Sequence, residues 1–392
     1  MRNTKTLEYG FSNKEFEIRI EKAQELLYEN KLDALLMTIP ANLRYFTGID
    51  THFWESPTRP WFLVVPLSGD PIAVIPEIGE KLFRKTFVKD IYTWPSPNLK
   101  GDDITPLKSI LETLPNRFGS IGAELGKEMS IRMPALDFGL LQDNFNFDIV
   151  DGAPLIWTLR SVKSFNEIKK IEKVAQIVSE VFEILPTITS ANDSERDVSN
   201  KVKREILTRG ADNVPYLPVV SGLGGVSQII GNPTNKLIST GDFLFIDTGA
   251  TFDGYFCDFD RNFIVGTAPD ELKRANEILW HATEEGIRNL VPGAKTKDIW
   301  KKINKKIEDF GFMIQGDGRY GHGVGLQLTE PPSISSFDNS TIQENMVLTI
   351  EPSLEYKPGK LIVHEENIFV SKDGPVLLTK RAPKELPSIS LF

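Results

Sequence analysis

Between Phe243 and Phe263 the chain places carboxylates in strands that are otherwise apolar, and no other stretch restricts the fold as much. Phe243-Leu-Phe-Ile-Asp247 is an apolar run ending in an acid, and Tyr255 to Phe263 alternates aromatic and polar residues with the period of a half-buried strand. Gly249, Asp253 and Gly254 lie between them, so the unit reads as two paired strands. Each strand aims an acid, Asp247 or Asp258, into hydrophobic surroundings, where an ionised carboxylate is costly unless a positive partner meets it. The stretch holds no lysine, and its single arginine, Arg261, cannot neutralise Asp247, Asp258 and Asp260 together. A metal ion can.

Composition narrows the class. With 392 residues the chain is long enough for two domains, and a net charge of -9 leaves no basic surplus to meet nucleic-acid phosphates. One cysteine, Cys257, excludes an internal disulfide and suits a reducing compartment; beside Asp258 it is expected to pack. The first residues, Met1 to Tyr9, lack the apolar core of a signal peptide. The long charge-free stretch from Asn213 to Asn235 is broken by prolines and glycines, which argues against a membrane span. A cytoplasmic protein is expected, with neither nucleic acid nor membrane as partner.

Ser12-Asn-Lys-Glu15 opens an amphipathic helix to about Glu29, Asp33 to Thr38 reads as a strand, and Ser68-Gly-Asp joins two further strands as a hairpin. Helix and strand signals then alternate to about Leu155, which describes an α/β domain. A second capping box, Ser164-Phe-Asn-Glu167, starts a long helix, so the expected domains are 1–159 and 160–392. The second domain contains an internal repeat. Asp197, Val198, Val202, Ile206 and Gly210 recur as Asp298, Ile299, Ile303, Ile307 and Gly311, at a constant offset of 101.

Three later segments carry further candidate ligands. Gly321-His-Gly-Val-Gly-Leu326 sets a histidine among glycines, where backbone approaches a bound group closely. Thr349-Ile-Glu-Pro352 and Val363-His-Glu-Glu-Asn-Ile-Phe-Val370 each place a glutamate in an expected apolar strand. Any one of these has an ordinary reading, as a turn acid or a satisfied core histidine. Asp247, Asp258, His322, Glu351 and Glu365 together form a set of four carboxylates and one imidazole.

These residues resemble the M24 metallopeptidases, the group of Xaa-Pro dipeptidases, aminopeptidase P and creatinase with the pita-bread fold. The likeness runs through Asn42-Leu-Arg-Tyr-Phe-Thr-Gly48, Leu159-Arg-Ser-Val-Lys163, Asp247-Thr-Gly, Asp258-Phe-Asp-Arg261, the His322 loop, Thr349-Ile-Glu-Pro352 and Glu365, including the eleven-residue Asp-to-Asp spacing. It implies an α+β chain: a creatinase-type N-terminal domain, then a curved, mainly antiparallel catalytic sheet backed by helices with an internal pseudo-two-fold. It also implies two divalent metal ions (Mn, Co, Fe or Zn, with Mn favoured) and a homodimer. Asp247 would serve one metal, His322 and Glu351 the other, with Asp258 and Glu365 bridging. Metal-activated hydroxide would then attack an amide carbonyl while Glu351 moves the proton.

The chain departs from the family around that centre. Ile230 replaces a histidine seventeen residues before Asp247, Thr329 replaces one seven residues after His322, and Val363 replaces an arginine two before Glu365. Ile230 and Val363 are expected to line the pocket as apolar walls and to weaken cleavage of simple Xaa-Pro dipeptides. Asp260 reads either as a contact for a substrate cation or as an ion-pair partner of Arg261. His52 and Trp54 read either as a wall supplied to a neighbouring subunit's pocket or as a solvent loop. His364 is expected to face away from Glu365. Three functions fit: a dinuclear Xaa-Pro dipeptidase-like hydrolase acting on a small peptide, a hydrolase of a small non-peptide C–N substrate of the creatine or ectoine kind, and a non-enzymatic interaction protein on the same fold.

Overall fold

The computed structural model describes residues 9–56, 59–97, 104–143, 145–190, 192–312 and 318–390. Most of the Met1–Tyr9 stretch, on which the signal-peptide expectation falls, lies outside them. The chain divides into two compact units, Met1–Arg160 and Ser161–Phe392.

The first unit is a mixed six-stranded sheet with helices. Its strands are β1 (Ala34–Met37), β2 (Phe62–Pro66), β3 (Ile72–Pro76), β4 (Asp90–Trp94), β5 (Ser120–Ala123) and β6 (Asp148–Asp151), in the order β4-β3-β2-β1-β5-β6. The hairpin read at Ser68-Gly-Asp is the antiparallel β2–β3 pair, with Phe62 opposite Val74. Ser12 caps the helix Asn13–Glu29 by accepting the Glu15 N–H. The core of this unit is aliphatic and aromatic, with Leu36, Phe62, Val64, Val74 and Trp94 all buried.

The second unit opens with the helix Phe165–Ile188, capped reciprocally by Ser164 and Glu167. Its buried face, Ile168, Ile171, Val174, Val178 and Phe182, has the spacing of one helical side. One sheet is built on β9 (Asp242–Phe252), which pairs with β7 (Asn213–Tyr216), β8 (Val219–Leu223), β10 (Tyr255–Phe256) and β11 (Phe259–Val265). A second has the order β13-β12-β14-β17-β18, from β12 (His322–Gly323), β13 (Glu330–Ser333), β14 (Val347–Ile350), β17 (Glu366–Ser371) and β18 (Gly374–Leu377). β15 (Ser353–Lys357) and β16 (Lys360–Val363) form a hairpin, and β19 (Ser388–Ile389) adds to β11 in parallel. Every other strand pair in this unit is antiparallel.

The repeat appears as structure. Helix Glu195–Thr208 buries Val198, Val202 and Ile206, and helix Thr296–Glu308 buries Ile299, Ile303 and Ile307. The residue before each helix makes the same isolated bridge, Ser194 to Leu237 and Lys295 to Thr341. Gly210 and Gly311 follow their helices at φ 98° and 88°, where a side chain would be strained. The caps differ. Ser194 and Asp197 form a full capping box, whereas Lys295 offers no side-chain cap and Asp298 has lost that partner.

Candidate metal centre

The four acids and one imidazole singled out above lie in or beside strands of the two larger sheets of the second unit. Asp247 lies in the middle of β9, opposite Asp260 of β11. Asp258 is not inside a strand as expected; it occupies the break between β10 and β11. Glu351 and Glu365 differ in the same way, the first just past β14 and the second between β16 and β17. Ile350 pairs with Glu366, so Glu351 and Glu365 lie just beyond the last pair of the β14–β17 ladder. A residue inside a ladder points along a direction set by the pleat, whereas one at a break is free to turn toward a common point.

That common point is real. One ligand atom each from Asp258, His322 and Glu365 lies within 4.8 Å of the other two. His322 Nε2 is 3.4 Å from Asp258 Oδ2 and 3.6 Å from Glu351 Oε1. Asp247 joins them through its field, raising the pKa values of Asp258 and Glu365. Burial and mutual repulsion push Asp258 and Glu365 well above the carboxylate range; burial carries Asp247 and Glu351 up to about 7.

The hydrogen-bond pattern fits a cation. His322 Nδ1 lies 2.9 Å from the Gly323 carbonyl, which only accepts, so Nδ1 carries a proton and in the neutral ring the Nε2 lone pair faces the carboxylates. Lone pair then meets lone pair across 3.4 and 3.6 Å, and Glu365 Oε1 is buried without a hydrogen-bond partner. A positive ion, or protons, must offset such a set. Oxygen-rich donors with one imidazole suit divalent metals of the first transition row.

Neighbours hold these groups in place. Thr349 Oγ1 accepts the His322 N–H at 3.2 Å, Asn367 Oδ1 accepts the Asp258 N–H at 2.9 Å, and the nearby Tyr216 side chain lowers the Asp247 pKa against the effect of burial. Arg261 reaches the Glu365 carbonyl at 3.0 Å and the Glu366 carboxylate at 2.9 Å. Arg319 Nε donates to Glu351 Oε1 at 3.2 Å. Sequence reasoning missed Tyr216, Arg319 and the part played by Asn367. Asn367 lies two residues past Glu365 in a segment already singled out, but Tyr216 and Arg319 reach their carboxylates only through the fold.

The remaining candidates are placed as follows. Asp260 is buried with neither oxygen hydrogen-bonded, and Arg261 spends its guanidinium on Glu366 and on carbonyls, so the expected Asp260–Arg261 ion pair does not form. The Arg261 charge lowers the Asp260 pKa only as a field, while burial and Asp247 hold it well above the usual range. Ile230 is 77 % exposed and does not form an enclosed apolar wall, because its neighbour Ile229 is the one that turns to the core. Val363 is likewise no pocket wall: it is 4 % exposed and packs in the hydrophobic core. Thr329 is half-buried beside β13. His364 turns away from Glu365, with Nε2 2.7 Å from Asn276 Oδ1, and Cys257 is buried. In the first unit His52 is exposed in the short 3-10 turn His52–Glu55, where Trp54 packs edge-on against Trp61.

Residues 169–372 match the description Metallopeptidase family M24, and residues 19–162 match the Creatinase/Prolidase N-terminal domain. The chain belongs to metallopeptidase family M24. As an M24 protein it joins a creatinase-type N-terminal domain to a pita-bread catalytic domain. It is 27% identical over 375 residues to the uncharacterized peptidase YqhT of Bacillus subtilis, covering 94% of this chain and 99% of that one. It is 25% identical over 364 residues to the Xaa-Pro dipeptidase of Pyrococcus furiosus, covering 92% and 97%. Among solved structures, the recombinant prolidase of Thermococcus sibiricus superposes with a TM-score of 0.85 at 25% identity, covering 97% of this chain and all of that one. No helix among the described residues is long and apolar enough to cross a membrane.

Proposed function

We propose that this M24 protein is a dinuclear metal-dependent hydrolase that cleaves a small amide of the Xaa-Pro dipeptide type. The observation that carries the reading is His322 Nε2 lying 3.4 Å from the buried Asp258 carboxylate and 3.6 Å from the half-buried Glu351 carboxylate, beside an unpartnered Glu365 oxygen. Asp247, Asp258, His322, Glu351 and Glu365 would hold two divalent cations, which supply a Lewis acid and lower the pKa of water at the site. Glu351, whose Oε1 lies 3.6 Å from His322 Nε2 at the edge of the cluster, is placed to accept a proton and return it to the departing nitrogen. Arg319 holds Glu351 Oε1, and the Nδ1–H bond of His322 to Gly323 fixes the tautomer that keeps Nε2 available.

A second reading, hydrolysis of a small non-peptide C–N substrate, is favoured by Ile230, Thr329 and Val363. An exposed isoleucine and a core valine offer no charge to a dipeptide terminus. The deciding experiment is a screen of protein loaded with Mn(II), Co(II) or Zn(II) against Xaa-Pro dipeptides, small amides and guanidino compounds. Metal-dependent release of proline supports the first reading, and turnover confined to non-peptide amides supports the second. Protein that binds no divalent metal would sink both.

A further inference from the structure

Arg319 has no role in the sequence reading, yet it carries the positive charge that the structure records against the acidic cluster. Its Nε is 3.2 Å from Glu351 Oε1, and its field lowers the pKa values of both Glu351 and Asp258. Its side chain is 38% exposed. The Nε edge is engaged, and among the described residues none bonds the two terminal nitrogens of this partly exposed side chain. A planar fork with a free edge is the geometry that takes a carboxylate in two parallel hydrogen bonds.

Arg319 is also a cation that the other candidates do not supply. Two divalent cations would balance the four carboxylates Asp247, Asp258, Glu351 and Glu365, and Asp260, opposite Asp247, would add a further negative charge if ionised. Ile230 and Val363 supply no cation, and Arg261 is consumed by Glu366 and backbone carbonyls.

We propose that Arg319 is the specificity residue of this site and binds a carboxylate of the substrate, the inference resting on the hydrolase reading above. That carboxylate is either the C-terminal group of a dipeptide or an acidic side chain on its first residue. Both present the same planar anion, and the experiment separates them.

Wild type, Arg319→Met and Arg319→Lys, each loaded with Mn(II), are compared on Gln-Pro, Glu-Pro and Gln-Pro amide. Binding of matched analogues with a methylene in place of the scissile carbonyl is followed by calorimetry. Wild type is expected to prefer the member carrying the recognised carboxylate, and Arg319→Met to lose that preference by roughly ten- to hundredfold, chiefly in KM, with a parallel loss in analogue binding. Arg319→Lys should retain part of it, since charge remains but the fork does not. Loss of the Glu-Pro over Gln-Pro preference assigns the acidic side chain; loss of the Gln-Pro over amide preference assigns the C-terminus. An equal fall on all three substrates with analogue binding unchanged would overturn the proposal, because Arg319 would then act only by holding Glu351. If wild type hydrolyses nothing but binds analogues with an Arg319-dependent carboxylate preference, the proposal stands and the hydrolase reading falls. Wild type that binds no analogue, or binds charged and neutral ones alike, overturns it. Should Arg319→Met fail to fold, as judged by its melting curve, Arg319→Lys and Arg319→Gln supply the same comparison.

Discussion

At the residue scale, protonation links the metal centre to stability. Asp247 and Glu351 have folded-state pKa values of about 7 against ordinary values of 3.8 and 4.5, burial being the first cause in each. Folded, metal-free protein therefore keeps protons that the unfolded chain releases between about pH 4 and pH 7. The stability contributed by these groups is fully present below their unfolded pKa values and is lost as pH rises through about 7. Metal-free protein is thus expected to melt at falling temperature between about pH 5 and pH 8, and saturating Mn(II) to remove that slope by taking the protons' place. A melting temperature that is flat or rising without metal would contradict the acidic-cluster account. Glu351→Gln is expected to keep the fold, by circular dichroism, while lowering kcat by roughly 10²–10⁴.

At the element scale, the centre depends on how closely two backbones approach. A Cβ on Gly321 would stand 2.2 Å from the Thr349 carbonyl oxygen, and one on Gly323 would stand 2.5 Å from that of Pro331. Neither backbone atom can yield as a flexible side chain would, so Gly323→Ala is expected to push β12 off β13 and carry His322 with it. The measurement is metal binding by calorimetry, which should weaken more than the melting temperature falls; unchanged affinity would show that the loop has room. A second support is the buried pair of Lys163 and Glu330, 3.1 Å apart with side chains 2% and 1% exposed. It ties the first residues of the second unit to the strand opposite His322. Lys163→Met leaves Glu330 buried without that cation and should cost about 3–5 kcal/mol, read from the denaturant midpoint. A loss under about 1 kcal/mol would mean that Glu330 is satisfied by its other partners.

At the scale of the whole molecule, metal and fold are coupled. A ligand set that repels itself when ionised is relieved by cations, so chelation should lower the melting temperature and reloading should restore it. At a free metal concentration a hundredfold above Kd the gain is about 2.7 kcal/mol for one site, and two sites should yield two bound equivalents by elemental analysis. One equivalent at saturation would show that the five residues form a mononuclear centre.

Much of the fold was legible in the chain itself because its signals are local. The caps at Ser12 and Ser164, the period of the Glu195–Thr208 and Thr296–Glu308 faces, and the glycines that end them depend on residues a few positions apart. The meeting of Asp258, His322 and Glu365, with Glu351 beside them, was legible for another reason: carboxylates in apolar segments demand a partner wherever the chain takes them. What the sequence misjudged was where each side chain turns. Asp258, Glu351 and Glu365 sit at strand breaks, Ile230 faces out while Ile229 faces in, and Val363 joins the core. Those directions follow from register and packing against elements far along the chain, such as Ile350 opposite Glu366. The sequence by itself therefore determined which groups the protein must reconcile with burial. Tertiary structure alone decided which neighbours reconcile them: Arg319 on Glu351 and Asn367 on Asp258 are contacts between residues 32 and 109 positions apart, and no local pattern encodes them.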